Sequence, residues 1–391
     1  MLSALEGSQA LAQAVGLCRP GVVAAYPITP QTHIVENISK LVADGRLRCE
    51  LVSVESEFSA ASVALGAAAS GVRAYTASSS QGILLMAEVL YNISGMRIPM
   101  VMTCANRAVG APLNIWNDQQ DSMAVRDSGW IQLYCADNQE AVDTTIQAFR
   151  IAERTEVPVM VCVDGFVLTH TLEPIDLPTQ EQVDRFLPPY HFSRALDSRN
   201  PLSLGTCVDP SFFTEARHSQ HQAVLRATTE IMAADRDYAG IIGRSGGGLL
   251  SVVGPAEADV AILALGSVCS TVQESMQLFP QDRPVKLIKL RAYRPFPMAA
   301  LREVLQGVRD LVVLERAIAP GSGGIVGMEV RSLATTLTQL PRIHNYAVGL
   351  GGRDVPIEIY PRLVEAITRA DEPAWFEIFD LEPEKLPVED R

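Results

Sequence analysis

An apolar strand gives way to a proline-rich turn at Val22-Val23-Ala24-Ala25-Tyr26-Pro27-Ile28-Thr29-Pro30. A helical repeat of apolar residues lies on each side of this segment, at 7–17 and at about 32–44. The same alternation returns along the chain, with further strands predicted at 49–54, 73–77, 99–104, 131–135 and 157–164. Continuously apolar strands separated by helices predict an α/β fold with a doubly wound parallel sheet, covered on both faces.

A second, smaller α/β unit is predicted after residue 248. The proline-rich and polar segment 171–214 is predicted to be an extended connection, which leads through a helix at 216–235 to the glycine-rich stretch 243–248. The alternation of strands and helices resumes from Ala258. We therefore expect two domains, 1–248, with the connection from about 171, and 249–391.

Composition and charge limit the possible partners. With 391 residues, of which 48% are hydrophobic and 20% charged, the chain can bury a large core. Its net charge of −13 is the wrong sign for binding nucleic acid or anionic lipid. No apolar run reaches the roughly 18 residues of a membrane span, and Glu6 interrupts the place where a signal peptide would be apolar. We expect a cytoplasmic protein.

Cysteine and histidine spacing predicts no metal centre. The seven cysteines stand singly without a C-x-x-C pair, so iron–sulfur clusters and structural zinc are not expected in this chain. The six histidines form no catalytic pattern and are interpreted as surface or packing residues. The glycine-rich stretches 321–324 and 349–352 fit no nucleotide-binding motif and are interpreted as turns.

Three polar residues directly follow predicted strands, at the edge where α/β sheets bind ligands. Thr29 is held between two prolines and could present its hydroxyl to an anion. Glu57 lies at a strand–helix junction beside many alanines, where partial burial would raise the pKa of a carboxyl. Arg107 lies three residues after the predicted strand 99–104, and its guanidinium could bind a carboxylate bidentately.

Each of these residues also has a structural interpretation. The turn around Thr29 could simply be rigid. Glu57 could be a charge at a helix N-terminus, and Glu55 is a competing acid two residues earlier. Arg107 could pair with an acid of the following loop, namely Asp118, Asp121 or Asp127.

Over most of its length the chain closely resembles the α subunit of pyruvate:ferredoxin oxidoreductase and related 2-oxoacid:acceptor oxidoreductases. In the first unit the resemblance is carried by Tyr26-Pro27-Ile28-Thr29-Pro30, Val54-Glu55-Ser56-Glu57, the run 76–82, Asn106-Arg107-Ala108, 115–118, 127–130 and Asp164-Gly165-Phe166. In the second unit it is carried by 266–269, Arg294-Pro295-Phe296-Pro297 and Gly351-Gly352-Arg353-Asp354.

The resemblance implies that the first unit is the pyrimidine-side domain for thiamine diphosphate and that the second folds like the transketolase C-terminal domain. Glu57 matches the catalytic glutamate that hydrogen-bonds N1′ of the cofactor, and Tyr26, Pro27 and Ile28 belong to the cofactor-binding segment. Thr29 and Arg107 match positions that bind the substrate carboxylate. The implied reaction is CoA-dependent oxidative decarboxylation of a 2-oxoacid, with electrons passed through iron–sulfur clusters to ferredoxin.

Several parts of such an enzyme are absent from this sequence. The diphosphate and magnesium motif, a G-D-G followed by asparagine, is missing, because Asp164-Gly165-Phe166 has no preceding glycine. The resemblance therefore implies a β subunit that supplies the diphosphate and Mg²⁺ half-site, and γ- and δ-type subunits with the 4Fe-4S clusters. No metal is expected in this chain.

The substrate and the class of function keep alternatives. Gln31 stands where the family more often has Ser or Thr, and Ser8 where it often has Asn. Pyruvate is the first expectation; aryl glyoxylates, branched-chain 2-oxoacids, 2-oxoglutarate and oxalate are alternatives, and NAD is an alternative final acceptor. A non-catalytic scaffold that keeps only the fold is a different class, and a self-sufficient enzyme of the transketolase type is disfavoured by the missing diphosphate motif.

Overall fold

A computed structural model describes residues 2–369 and 372–391. Its first part contains β1 (Leu2–Glu6), α1 (Gly7–Leu17), β2 (Val22–Ala25), α2 (Thr32–Ala43), β3 (Glu50–Ser53), α3 (Glu57–Ala69), β4 (Ala74–Ser78), α4 (Ser80–Leu85), α5 (Ala87–Gly95), β5 (Val101–Asn106), α6 (Gln120–Ala124), β6 (Ile131–Tyr134), α7 (Asn138–Thr155), β7 (Val159–Asp164), β8 (Leu172–Asp176), α8 (Gln180–Phe186) and α9 (Pro210–Ile242).

The second part contains β9 (Leu250–Val253), β10 (Val260–Ala264), α10 (Val268–Leu278), β11 (Val285–Leu290), β12 (Ala292–Arg294), α11 (Met298–Val304), β13 (Asp310–Glu315), α12 (Ile325–Ala334), β14 (Arg342–Ala347), α13 (Ile359–Arg369) and β15 (Glu377–Ile378). Short 3₁₀ turns lie at Leu350–Gly352, Pro383–Lys385 and Val388–Asp390. None of the described helices is long and apolar enough to cross a membrane.

The larger sheet has seven strands in the order β12-β6-β7-β5-β4-β2-β3. All neighbours are parallel except β12, which pairs antiparallel with β6. The chain passes from β2 to the edge strand β3 and then returns to the other side of β2 as β4. The order in which strands are added therefore reverses between β2 and β4, which is the switch point of the sheet. This is the doubly wound fold that the strand pattern predicts, and its switch point is where such sheets bind ligands.

Helices cover both faces of this sheet because its central strands are apolar on both sides. Every residue of β4, β5 and β7 is buried. On one face α1, α2 and α7 pack with residues such as Leu11, Ile38 and Phe149. On the other face most alanines of α3, including Ala60 and Ala64, are buried, and their small side chains allow close packing of helix on sheet.

The smaller sheet has six strands in the order β15-β14-β13-β10-β11-β9, with only β9 antiparallel to its neighbour. The two parts are joined by β12, which leaves this sheet and pairs with β6. The buried Arg291 just before it donates hydrogen bonds to Gly248 O, Thr144 Oγ1 and Gln147 Oε1. The division at residue 248 stays a prediction, because one apolar cluster includes residues of both parts.

The structure corrects several local predictions. The segment 171–214 is not simply extended: β8 pairs with β1, and α8 follows it. The helix predicted at 216–235 is α9, of 33 residues, and its exposed first turns lack the apolar repeat that reveals a helix. The sequence of 83–94 predicts one helix, whereas the structure has two, α4 and α5, which meet at Met86. The polar loop after Asn106 contains α6.

Candidate active site

Thr29, Glu57 and Arg107 all lie at the carboxyl edge of the larger sheet. Thr29 follows β2, Glu57 is the first residue of α3 after β3, and Arg107 follows β5. Thr29 and Arg107 contact each other directly. Glu57 lies against Gly82 of α4, which also faces Ser78 at the end of β4, the strand between β2 and β5.

Glu57 is a buried acid that the rest of the chain leaves free. Its side chain is 6% exposed, and no described residue donates a hydrogen bond to its carboxylate. The helix cap is supplied by Ser56, whose Oγ accepts from Ser59 N at 3.2 Å, so Glu57 is not needed for capping. Gly82 makes room for it: a Cβ there would lie 2.6 Å from Glu57 Oε1.

Glu55, the competing acid, lies outside this pocket. Its side chain is exposed and accepts a hydrogen bond from Ser59 Oγ, which lowers the pKa of the Glu55 carboxyl. An exposed and ionised carboxylate has little tendency to hold a proton near neutral pH. Of the two acids, only Glu57 has the buried setting that general acid–base chemistry uses.

Arg107 is a buried cation held by carbonyl groups. Its side chain is 7% exposed; Nη1 donates to Thr29 O at 2.9 Å and Nε donates to Asn114 O at 3.1 Å. Within residues 2–369 and 372–391 no carboxylate forms an ion pair with it, and burial lowers the pKa of the guanidinium. The remaining donors suit a ligand carboxylate.

The predicted alternative of an aspartate partner for the Arg107 side chain is wrong. Asp121 accepts from the backbone N of Arg107 at 3.0 Å, and not from the guanidinium. Asp118 accepts from the backbone N of Gln120 and of Gly351. Asp127 lies near two other guanidinium groups, of Arg126 and Arg294.

The turn 26–31 presents its backbone to Arg107. The Thr29 carbonyl faces Arg107, and the Thr29 side chain is exposed, as are those of Tyr26 and Pro27. Gln31 is fully buried beneath the turn, where its Oε1 accepts from Ile28 N at 3.3 Å. Gln31 Nε2 has no partner among the described residues, so this unusual residue leaves one buried donor beside the turn.

Asp121 is a positioning residue that the sequence offered only as one of three possible partners of the Arg107 side chain. It is fully buried, and its carboxylate accepts four hydrogen bonds, from Ser80 N, Arg107 N, Asn106 Nδ2 and Ser122 N, at 2.7–3.0 Å. Ser80 has φ of 50°, a left-handed conformation that this contact stabilises. An aspartate in a polar loop gives no sequence signal that it joins the ends of β4 and β5.

The second part of the chain holds the loop that follows Arg107. Asn114 Nδ2 donates to Gly351 O at 2.9 Å, and Gly351 N donates to Asp118 Oδ2 at 3.4 Å. Trp116 packs so closely on Gly352 that a Cβ there would lie 2.3 Å from Trp116 Cβ. Gly351 and Gly352 both have positive φ, so the glycine-rich turn is required by its contact with this loop.

Asp164 fastens the same two parts together. Its buried carboxylate accepts from Ser267 N at 2.8 Å and from Gln119 Nε2 at 3.0 Å, and it pairs with Arg316 at 3.3 Å. A carboxylate engaged by three protein groups is not available as a metal ligand. Asp164 therefore does not fit a magnesium site.

These residues fit one half of a thiamine diphosphate site. A buried, unpartnered carboxylate at Glu57 suits the ring nitrogen N1′ of an aminopyrimidine, with which it can share a proton. The engaged Asp164 does not fit the diphosphate and magnesium end of the cofactor. The fit therefore covers the pyrimidine end alone.

Comparison with known proteins gives matches over nearly the whole chain. Residues 13–236 match the family described as pyruvate flavodoxin/ferredoxin oxidoreductase, thiamine diphosphate-binding, and residues 258–359 match pyruvate:ferredoxin oxidoreductase core domain II. Pyruvate synthase subunit PorA of Methanosarcina barkeri is 44% identical over 92% of this chain and 91% of its own. Ketoisovalerate oxidoreductase subunit VorA of Pyrococcus abyssi is 38% identical over 94% of each chain.

Two solved structures share the fold. A 2-oxoglutarate:ferredoxin oxidoreductase from Magnetococcus marinus superposes with a TM-score of 0.73 at 20% identity over 94% of this chain. This chain spans 65% of that longer one. A split-gene transketolase superposes with a TM-score of 0.54 at 14% identity over 94% of this chain and 99% of its own. The likeness to both structures shows that this chain shares their α/β fold.

Proposed function

This chain belongs to the pyruvate flavodoxin/ferredoxin oxidoreductase family, and we propose that it is the α subunit of a thiamine diphosphate-dependent 2-oxoacid:ferredoxin oxidoreductase. The observation that carries the proposal is a pair of buried, opposite charges, Glu57 and Arg107, at one sheet edge, with no ion pair from any described residue. Leaving a charge buried and unpaired is unfavourable by several kcal/mol, by order of magnitude. A bound ligand that contacts both groups would offset this cost.

Each group has a distinct role in this proposal. When bound, thiamine diphosphate supplies a carbon nucleophile and an electron sink for decarboxylation. Glu57 shares a proton with N1′ of the pyrimidine, and burial of its carboxylate strengthens that hydrogen bond. Arg107 donates to the 2-oxoacid carboxylate, and the carbonyls of Thr29 and Asn114 fix its orientation. Tyr26, Pro27 and Ile28 border the cofactor.

Pyruvate is the 2-oxoacid that we propose first. PorA relatives named pyruvate synthase are 38–44% identical to this chain, which supports it. A branched-chain 2-oxoacid is the second candidate, because relatives named ketoisovalerate oxidoreductase reach 38% identity. Arg107 would bind the carboxylate that both substrates share, so discrimination depends on the rest of the pocket.

Partner chains complete the proposed enzyme. A β subunit would hold the diphosphate and Mg²⁺, which is supported by the engagement of Asp164 within this chain. Subunits of γ and δ type would carry 4Fe-4S clusters and deliver electrons to ferredoxin, with CoA accepting the acyl group. We assign residues 1–248 to the pyrimidine side and 249–391 to the transketolase C-terminal-like domain, and we place the complex in the cytoplasm.

The proposal is tested on the native complex. The chain is tagged in its host, purified anaerobically with its partners, and assayed for viologen reduction on a panel of 2-oxoacids with and without CoA. We expect CoA-dependent reduction with pyruvate, at a rate above that with 2-oxoisovalerate. Suppose that the complex contains thiamine diphosphate and iron, but that none of the 2-oxoacids in the panel supports viologen reduction. This result would overturn the proposal and favour the scaffold alternative.

A further inference from the structure

A cluster of two imidazoles and a carboxylate lies beside the turn that carries Thr29. Glu6 ends β1, His33 is in the first turn of α2, and His170 follows β7 by six residues. Glu6 Oε1 lies 2.8 Å from His33 Nδ1, and the rings of His33 and His170 stack with centroids 4.5 Å apart. One potential ligand atom from each residue lies within 4.8 Å of the other two.

The cluster has an outer contact of the kind that orients metal-binding histidines. His170 Nδ1 lies 2.8 Å from the hydroxyl of Thr169, which also accepts from Phe166 N at 2.8 Å. Thr169 is fully buried, so the ring of His170 is anchored from below. Its other nitrogen, Nε2, is left for a further partner, as in histidines whose orientation is fixed before they bind metal.

The cluster is also accessible and electrostatically suited to a cation. The side chains of His33 and Glu6 are 45% and 31% exposed, so an ion can reach them from solvent. No arginine or lysine in the described part of the chain pairs with the Glu6 carboxylate, whose partner is His33. Ligand atoms around tetrahedral Zn²⁺ lie about 3.4 Å apart, given bonds of about 2.1 Å, and the atoms of this set, within 4.8 Å of one another, are near that spacing.

We propose that Glu6, His33 and His170 form a binding site for a divalent transition-metal ion of the zinc and cobalt type. Two imidazoles and one carboxylate are borderline ligands that favour such ions over Mg²⁺. The site escapes sequence patterns because its ligands come from three distant segments, so the interpretation of His33 and His170 as surface or packing residues is incomplete.

A bound ion would stabilise the backbone next to the candidate active site by linking three segments of the chain. It would join the ends of β1 and β7 to the first turn of α2, four residues after Thr29. Ring contacts continue from His170 toward Arg107. The rings of His170 and Phe166 have centroids 4.7 Å apart, and those of Phe166 and Trp116 have centroids 4.4 Å apart. Trp116 belongs to the loop that holds Arg107, so these ring contacts reach from the proposed metal site to that loop.

The test is a titration of the full chain, stripped with EDTA and dialysed, with Zn²⁺ by calorimetry and with Co²⁺ by visible absorption. We expect one ion per chain and a Co²⁺ d–d spectrum of nitrogen and oxygen ligation. His33→Ala and His170→Ala should each weaken binding by about 100-fold, and Glu6→Gln by at least about 10-fold. Excess Mg²⁺ should not compete.

The control is His218→Ala, which removes an exposed histidine of α9, three residues before His221, and should leave binding unchanged. Thermal unfolding of each metal-free variant should match that of the wild-type chain, which separates lost ligation from lost folding. Binding that survives both His33→Ala and His170→Ala, or wild-type affinity weaker than millimolar, would refute the site. Neither result depends on catalytic activity, so the metal site and the proposed function can fail separately.

Discussion

Buried charged side chains lie at the carboxyl edges of both sheets, but they differ in whether the protein supplies their partners. At the end of β13, the Glu315 carboxylate accepts from Val326 N at 2.8 Å, Gly327 N at 3.0 Å and Asn345 Nδ2 at 2.7 Å. Its neighbour Arg316 pairs with Asp164. At the edge of the larger sheet, Glu57 and Arg107 are also buried, yet neither has an ion partner in the described parts of the chain.

The difference separates charges that build the fold from charges that await a ligand. Glu315 is nearly as buried as Glu57, at 1% against 6% exposed, but it caps α12 and so stabilises the native chain. Glu57 leaves capping to Ser56 and forms no such contact. Burial alone therefore does not identify the candidate site, whereas burial without an internal partner does.

The strongest way to test this distinction is Glu57→Gln in the assembled complex. Gln keeps the shape but cannot share the proton, so we expect the turnover number to fall by more than about 100-fold. Thermal stability should not fall, because no internal hydrogen bond is lost. The matched control is Glu55→Gln, at the exposed acid two residues away, which should leave turnover within about twofold. Near wild-type turnover in Glu57→Gln would refute its catalytic role.

Arg107→Ala should mainly weaken binding of the 2-oxoacid. We expect the KM for the 2-oxoacid to rise by about 30-fold, equivalent to about 2 kcal/mol, because a charge-assisted contact with the carboxylate is removed. Arg107→Lys keeps the charge but not the planar fork, so it should recover only part of this loss. Steady-state kinetics measure both variants, with Arg126→Ala as a control at a partly exposed arginine. Unchanged KM and kcat in Arg107→Ala would exclude the carboxylate contact.

Glu315→Gln should affect stability and not chemistry. One side-chain N–H₂ would face the N–H groups that Glu315 now accepts, and the charge at the start of α12 would be lost. We expect the free energy of unfolding to fall by about 2 kcal/mol, measured by denaturant titration of the full chain. The turnover of complex that remains folded should be unchanged. Equal stability of variant and wild type would contradict the capping role.

Asp118→Asn tests the seam between the two parts and should have the smallest effect. Burial raises the pKa of Asp118 to about 6, so the folded chain binds this proton more tightly than the unfolded chain does. Stability conferred by the protonated form is therefore present below about pH 4 and lost as pH rises to about 6. Asparagine does not titrate, so between pH 4 and pH 8 the free energy of unfolding of wild type should fall relative to that of the variant, by on the order of 1 kcal/mol.

Thermal unfolding between pH 4 and pH 8 measures this effect. The wild-type chain should lose stability relative to Asp118→Asn as the pH rises. Asp127→Asn, at an exposed acid of the same loop, controls for the change in net charge. A constant difference between the Asp118→Asn and wild-type chains at all pH values would show that Asp118 does not titrate across this range.

Much of the larger sheet was predictable from sequence because its elements are local. The sequence of 138–155 predicts a helix with the observed bounds of α7, since apolar residues such as Val142, Ile146 and Phe149 recur at helical spacing and Asp137 supplies a cap. The strands β4, β5 and β7 are short, apolar runs that alternate with helices. In contrast, β1, β8 and β12 gain stability only from partners distant in the chain, so their own sequences did not mark them.

Sequence by itself determined the residue types and their order: an acid at 57, a guanidinium at 107, each just after a strand, and the resemblance that gave them roles. The tertiary structure alone decided which acid is buried, which carbonyls hold Arg107, and that Asp121 and Gly351 position its loop. It also gathered Glu6, His33 and His170. The physical reason is range: helix and strand patterns follow from neighbours along the chain, whereas burial, hydrogen-bond partners and ligand clusters depend on segments that meet only after folding.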